Sequence, residues 1–256
     1  MRPSTLYFHG LPGSAAELAG FGPAIAARVA HVHVIERGNR LAAGPAEGYF
    51  ARLAGQIAAQ FPDGPLRLAG FSLGAAAALR VAPYLGARVE QIDLVSPAGP
   101  LVLGEFLDGM AGAPVFRAAL AGQAPFASLT WAQAQIARLA PGRMAAALMA
   151  SARGKDRDLA ADPHFIRHLG QSLRTSLIDR RAAYTAEIRA YVADWSGALA
   201  DVQQPVTIWQ GSEDDWTPPA MAQALAAHLP TAPAVLIQPG FSHFSCLRAY
   251  LEEQRA

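Results

Sequence analysis

The sequence predicts an α/β fold: a mostly parallel sheet flanked by helices, interrupted by a long helical insertion. Three observations predict it. Short apolar runs alternate with helical periodicity over residues 1–100 and resume over 201–256, the rhythm of strand–helix units. Between them, residues 101–200 keep helical spacing without a clear strand. An apolar fraction of 52% against 16% charged in 256 residues describes a chain with a large core.

Taken in order, residues 5–9, TLYFH, are a short apolar run ending at Gly10 and predict a buried strand. In the next stretch Ser14 and Glu17 have capping-box spacing and predict a helix start. Leu18, Phe21, Ile25 and Val29 would share one face of that helix, broken in two by Gly20, Gly22 and Pro23. Residues 31–35, HVHVI, alternate with period two and predict a strand. A helix over 46–61 stops before Pro62, a strand follows at 65–69, a helix at 73–82 and a strand at 89–95. In the insertion, Phe165, Leu169, Leu173 and Leu177 step by four, and Tyr184, Ile188, Tyr191 and Trp195 by four, three and four. Strands at 205–211 and 234–240 then bracket a helix from Thr217 to Leu229, and a last helix closes the chain. Thr217 before Pro218 reads as an N-cap with proline in the first turn.

Composition narrows the function classes. Lys plus Arg number 21 against 20 Asp plus Glu, a net charge of +1, with no basic stripe for nucleic acid. The single Cys246 excludes an intramolecular disulfide framework and a multi-cysteine zinc site, and fits a reducing cytoplasm. The apolar stretch near the N-terminus is too short for a signal sequence, and no run of about 18 apolar residues predicts a membrane span.

Residues 70–74, GFSLG, lie between a predicted strand and a predicted helix, which is where a nucleophile elbow belongs. The five residues alone fit two readings: Ser72 is lifted above the sheet as a nucleophile, or it caps the helix in a glycine-rich turn. His164 and His168, spaced i, i+4 on a helix, lack an adjacent glutamate and a third ligand, and read as a solvated face.

Four motifs make the chain resemble the α/β-hydrolase superfamily everywhere outside the insertion: HGLPGS (9–14), GFSLG (70–74), GSEDDWTPP (211–219) and GFSHF (240–244). They stand in that family's order of serine, acid and histidine, each after a predicted strand. The resemblance implies Ser72 as nucleophile, His243 as its base and Asp214 as the acid that orients the imidazole. Asp215 is the alternative acid, but Gly211, Asp214 and Pro218 fill the family's G-x-x-D-x-x-x-P pattern. It also implies an oxyanion hole from the backbone N–H groups of Leu11 and Leu73, with His9 bracing the first of these loops. Family members commonly carry two strands before the HG strand. Here that strand begins within five residues of Met1, so a sheet of about six strands is expected.

The implied reaction is hydrolysis of a carboxylic ester of a small or medium-sized substrate, with thioesters, lactones, C–C bonds and perhydrolysis or acyl transfer as alternatives on the same residues. No metal and no organic cofactor are implied. A ligand-binding protein on the same fold is the alternative of another class. Residues 101–200 occupy the position of the family's cap over a core of 1–100 and 201–256. Phe106, Leu107, Met110, Phe126, Met144, Leu148 and Met149 would line an acyl pocket or form the cap's own core. Arg174, Arg180 and Arg181 would meet an anionic substrate group or a solvated helix face.

Overall fold

A computed structural model describes residues 3–37 and 48–254. Six strands form one sheet: β1 (Ser4–Phe8), β2 (His33–Val34), β3 (Leu66–Phe71), β4 (Val89–Val95), β5 (Val206–Gly211) and β6 (Ala234–Gln238). Their order is β2-β1-β3-β4-β5-β6, and every neighbouring pair is parallel. The chain leaves β1 toward β2 and then crosses to β3 on the other side. The carboxyl ends of β1 and β3 therefore flank a topological switch point, where open parallel sheets form their crevice.

The central strands are buried on both faces, which is why Leu6, Tyr7, Phe8, Leu66, Leu68, Ile92 and Leu94 read as runs rather than alternations. At the edge, β2 keeps two of the five residues expected from HVHVI. His31 and His33 are exposed there, although Ile35 N–H still donates to Tyr7 O at 2.8 Å. The opposite edge strand, β6, exposes Leu236 and Ile237.

The first helix is α1 (Pro23–Arg28), preceded by a 3-10 turn over Glu17–Phe21; the two are separated at Gly22, whose φ is 95°. The Ser14–Glu17 capping box does not form. Ser14 Oγ accepts from Ala16 N–H, while Glu17 turns inward to Tyr7 and Gly10. The next helix, α2 (Tyr49–Gln60), follows Gly48, and the expected start at 46 lies outside the described residues. α3 (Leu73–Leu85) runs three residues past the expected stop and carries Pro83 inside its last turn. Its run of alanines lets it lie close against β1, β3 and β4.

Between β4 and β5 the chain is helical, with no strand over 101–200: α4 (Ala113–Leu120), α5 (Gln123–Leu139), α6 (Pro141–Leu148), α7 (Asp156–Ala161), α8 (Pro163–Arg174), a π-helical turn Thr175–Asp179, and α9 (Arg181–Val192). The two periodic series expected here are all buried, from Phe165 to Leu177 and from Tyr184 to Trp195. The last helices are α10 (Pro219–His228) and α11 (His243–Glu253). α10 starts two residues later than expected, with Pro218 at its cap; the Thr217 side chain is committed elsewhere. No helix among the described residues is long and apolar enough to cross a membrane.

Candidate active site

Ser72 joins β3 to α3 with φ 53° and ψ −124°, a backbone conformation uncommon for a residue with a side chain. The surrounding bonds fix it: Ser72 N–H donates to Val95 O, and Ser72 O accepts from Ala75 and Ala98 N–H. The flanking glycines are required by close approach. A Cβ on Gly70 would lie 2.6 Å from Ala75 Cα, and one on Gly74 would lie 2.0 Å from Phe8 O. Ser72 occupies the N-cap position of α3, but its side chain makes no capping bond. Its hydroxyl has no hydrogen bond among the described residues and faces a cavity.

His243 opens α11 and Asp214 follows β5. The two loops are drawn together at Gly211, where a Cβ would lie 2.6 Å from Phe241 O. Glu213 N–H donates to Phe241 O, and Ser242 Oγ donates to Glu213 O. The imidazole and carboxylate meet in full burial, His243 Nδ1 lying 2.9 Å from Asp214 Oδ2. A carboxylate only accepts, so the proton between them is carried by Nδ1. Asp214 Oδ1 accepts from Trp216 and Thr217 N–H at 2.9 Å each. Burial alone would raise the Asp214 pKa. The charge and hydrogen bond of His243, with the Thr217 N–H, outweigh it and hold the carboxyl below its ordinary value. The ring lies near Trp216 with an interplanar angle of 20°, and its centroid is 4.6 Å from that of Phe71.

Thr217, which the sequence marked only as a helix cap, belongs to this cluster. Its hydroxyl lies 3.0 Å from Ser96 O, 3.1 Å from Asp214 Oδ2 and 3.3 Å from His243 Nδ1. With one proton to give, it donates to only one of the two oxygens at a time, and of the three partners only His243 Nδ1–H can donate to it. The signal for it was its place three residues after the acid, in a turn that the carboxylate closes.

The HG loop follows β1. Leu11 and Leu73 both border the cavity, and neither backbone N–H is engaged among the described residues. The Leu11–Pro12 peptide is cis. Behind this loop, Glu17 accepts from Tyr7 Oη at 2.7 Å and from Gly10 N–H at 3.1 Å. Burial raises the Glu17 pKa against those two bonds. His9 is buried, with Nδ1 2.7 Å from Gly10 O; burial and the nearby Arg37 charge push its pKa well down, keeping the ring neutral.

The cavity beside Ser72 has a volume of about 150 Å³. One wall comes from the sheet side, with Leu11, Leu73, Trp216 and Thr217, and the rest comes from the helices of 101–200. Met110, Met144 and Leu148 line it as the acyl-pocket reading expects. Phe106, Leu107, Phe126 and Met149 pack in the core instead and do not border it.

Other candidates fall away from this point. Asp215 pairs with Arg153 at 3.2 Å and makes no bond to His243. Arg180 pairs with Glu36, Arg181 donates to Ala127 O and Thr130 Oγ1, Arg174 is exposed, and none of the three borders the cavity. The rings of His164 and His168 lie 4.5 Å apart, and no group of three metal-ligating side chains exists among the described residues. Cys246 is buried, which pushes its thiol up to about 12.

No protein-family model matches the chain, and a search among curated proteins gives no match. Solved structures do match over nearly its full length. A bromoperoxidase from Bacillus anthracis superposes with a TM-score of 0.66 at 17% identity, over 99% of this chain and 89% of that one. The enol-lactonase from Burkholderia xenovorans gives 0.61 at 15% identity, over 98% and 89%. An alpha/beta hydrolase fold protein from Nakamurella multipartita gives 0.61 at 19% identity, over 99% and 92%. The chain has the α/β-hydrolase fold, here with one parallel sheet of six strands.

Proposed function

We propose that this chain is a serine hydrolase that cleaves a carboxylic ester of a small or medium-sized substrate through an acyl-enzyme. The observation that carries the reading is the buried Asp214–His243 pair, 2.9 Å apart, together with a strained Ser72 in the β3–α3 turn that borders a mainly apolar cavity. Ser72 Oγ attacks the ester carbonyl as its proton passes to His243 Nε2. Asp214 holds Nδ1–H and stabilises the imidazolium. The N–H groups of Leu11 and Leu73 receive the oxyanion, and those of the α3 N-terminus add a favourable dipole. The intermediate collapses when His243 returns the proton to the leaving alcohol. Water then repeats the sequence and releases the acid. The Ser72 hydroxyl makes no hydrogen bond among the described residues, and in this reading its bond to His243 forms when substrate is bound, as catalytic hydrogen bonds often do.

Residues 101–200 serve in this reading as a cap over the core of 1–100 and 201–256, a role supported by their share of the cavity wall. The enol-lactonase among the structural neighbours fits the same chemistry, since a lactone is an internal ester. The substrate is a small acyl compound; no step calls for a metal or cofactor.

The test is labelling with a fluorophosphonate and release of p-nitrophenol from esters of graded chain length. Wild type is expected to label and turn over, and Ser72→Ala to do neither. Turnover that survives Ser72→Ala overturns the proposal.

A further inference from the structure

The polar side chains bordering the cavity are Ser72, Trp216 and Thr217 on the sheet side and Gln133 and Tyr184 on the inserted helices, and the proposed reaction uses neither of the last two. Gln133, on α5, borders the cavity with neither end of its amide hydrogen-bonded among the described residues, and its Oε1 is shielded from solvent. Tyr184, on α9, is 5% exposed, borders the same cavity, and its hydroxyl has no partner among the described residues. Tyr184 departs from three other buried tyrosines. The hydroxyls of Tyr7, Tyr191 and Tyr250 donate to Glu17, Gly99 O and Asp93. Gln204 and Gln210 each donate to two carbonyls, although their Oε1 atoms, like that of Gln133, are shielded and unpaired; Gln133 differs in that its amide makes no hydrogen bond among the described residues and borders the cavity. The shielded Gln133 Oε1 is costly to leave unpaired, and with the unpaired Tyr184 hydroxyl on the same cavity it marks where a ligand's polar atoms can be received.

The rest of the lining sets the ligand's charge. No Asp, Glu, Lys, Arg or His borders the cavity among its described residues. An ionised group would lie there without a counter-charge and lose its hydration. Burial also raises the Tyr184 pKa, so its hydroxyl stays a donor at any working pH.

We infer that Gln133 and Tyr184 form a specificity site for a neutral hydrogen-bonding group, an amide or a hydroxyl, on the non-reacting part of the substrate. An amide suits both: its N–H is received by Gln133 Oε1, and its carbonyl accepts from Tyr184 Oη. This rests on the cavity being the substrate site of the proposed hydrolase. A site built to hydrogen-bond its substrate discriminates strongly against an analogue that leaves those groups unpaired.

Two esters of equal chain length test it: p-nitrophenyl hexanoate and p-nitrophenyl N-acetyl-β-alaninate, which carries an amide at the fourth and fifth atoms. For wild type, kcat/KM is expected to favour the amide ester by about tenfold, the worth of one to two hydrogen bonds. Gln133→Leu and Tyr184→Phe are each expected to bring that ratio toward one. A wild-type preference for the hexanoate, or a ratio unmoved by both variants, overturns the inference. If neither ester is turned over, the hydrolase reading has failed while the site is still measurable. Ser72→Ala should then be stabilised against heat by methyl N-acetyl-β-alaninate more than by methyl hexanoate, and equal stabilisation overturns the inference.

Discussion

Asp214 and Asp215 are adjacent in the chain, yet their environments assign them to different tasks. Asp214 is 4% exposed and holds His243, while Asp215 turns outward to Arg153. Under the proposed mechanism, Asp214→Asn is expected to lower kcat by about 10⁴-fold, because the amide favours the wrong imidazole tautomer. Asp215→Asn should change it less than about tenfold, the scale of a lost part-exposed ion pair. Steady-state kinetics on one p-nitrophenyl ester compares the two. The lowered Asp214 pKa also has a consequence for folding. Between its folded value and the unfolded value of about 3.9, the unfolded chain binds more protons, so this group's stability is complete above that window. It is lost as pH falls through the folded value. Thermal unfolding scanned from pH 6 to 2 should therefore show a shallower acid decline in Asp214→Asn than in wild type. Glycine is equally committed at position 74, where a Cβ would lie 2.0 Å from Phe8 O. Gly74→Ala forces β1 and α3 apart and is expected to cost about 3 kcal/mol or more in urea unfolding.

At the scale of elements, the N-terminus of α11 shows how the site is held. Its Phe244 and Ser245 N–H groups donate to Asp156 at 3.1 and 2.7 Å, a carboxylate that belongs to α7 in the inserted segment. Lys155 N–H meanwhile donates to Gly240 O, so two consecutive residues of the insertion clasp the loop that carries His243. Asp156→Ala removes a helix cap supplied from a distance of 88 residues in sequence, and should cost about 1–2 kcal/mol by chemical denaturation. Asp156→Asn, which keeps an acceptor, should cost less. The sequence carried no sign of this cap, because a partner so remote leaves no local pattern. The strands and most helices were legible, since burial on both faces and 3.6-residue periodicity write themselves into neighbouring residues. The errors arose where a tertiary partner outbid a local one. Glu17 abandoned the capping box for Tyr7 and Gly10, and Thr217 abandoned the cap of α10 for Ser96 and the Asp214–His243 pair. The proposed site was legible in its motifs because its parts follow strands; Gln133 and Tyr184 were not, lying on helices whose inward faces look alike.

For the molecule as a whole, the proposed mechanism makes the sheet hold the reacting groups and the inserted helices decide what fits beside them. That division explains why Met144 and Leu148 border the cavity while Phe126 and Met149 fill the core: all four are large and apolar, and only the packing of helices sorts them. It also gives a prediction that separates the two halves. Leu148 is remote in sequence from Ser72, His243 and Asp214, and lines the cavity from α6. Leu148→Trp adds bulk to the wall without touching the groups proposed to react, so fluorophosphonate labelling of Ser72 should persist. Room for the acyl chain should shrink. Since one methylene in an apolar pocket changes kcat/KM by about 10–200-fold, the octanoate ester should lose at least about tenfold while the acetate ester stays within about threefold. If acetate and octanoate fall together, the helices of 101–200 act on the reacting groups rather than on the chain, and the division between sheet and insertion is wrong. If neither falls, the acyl chain lies along another wall of the cavity, with Val115 and Ile188 the next positions to fill.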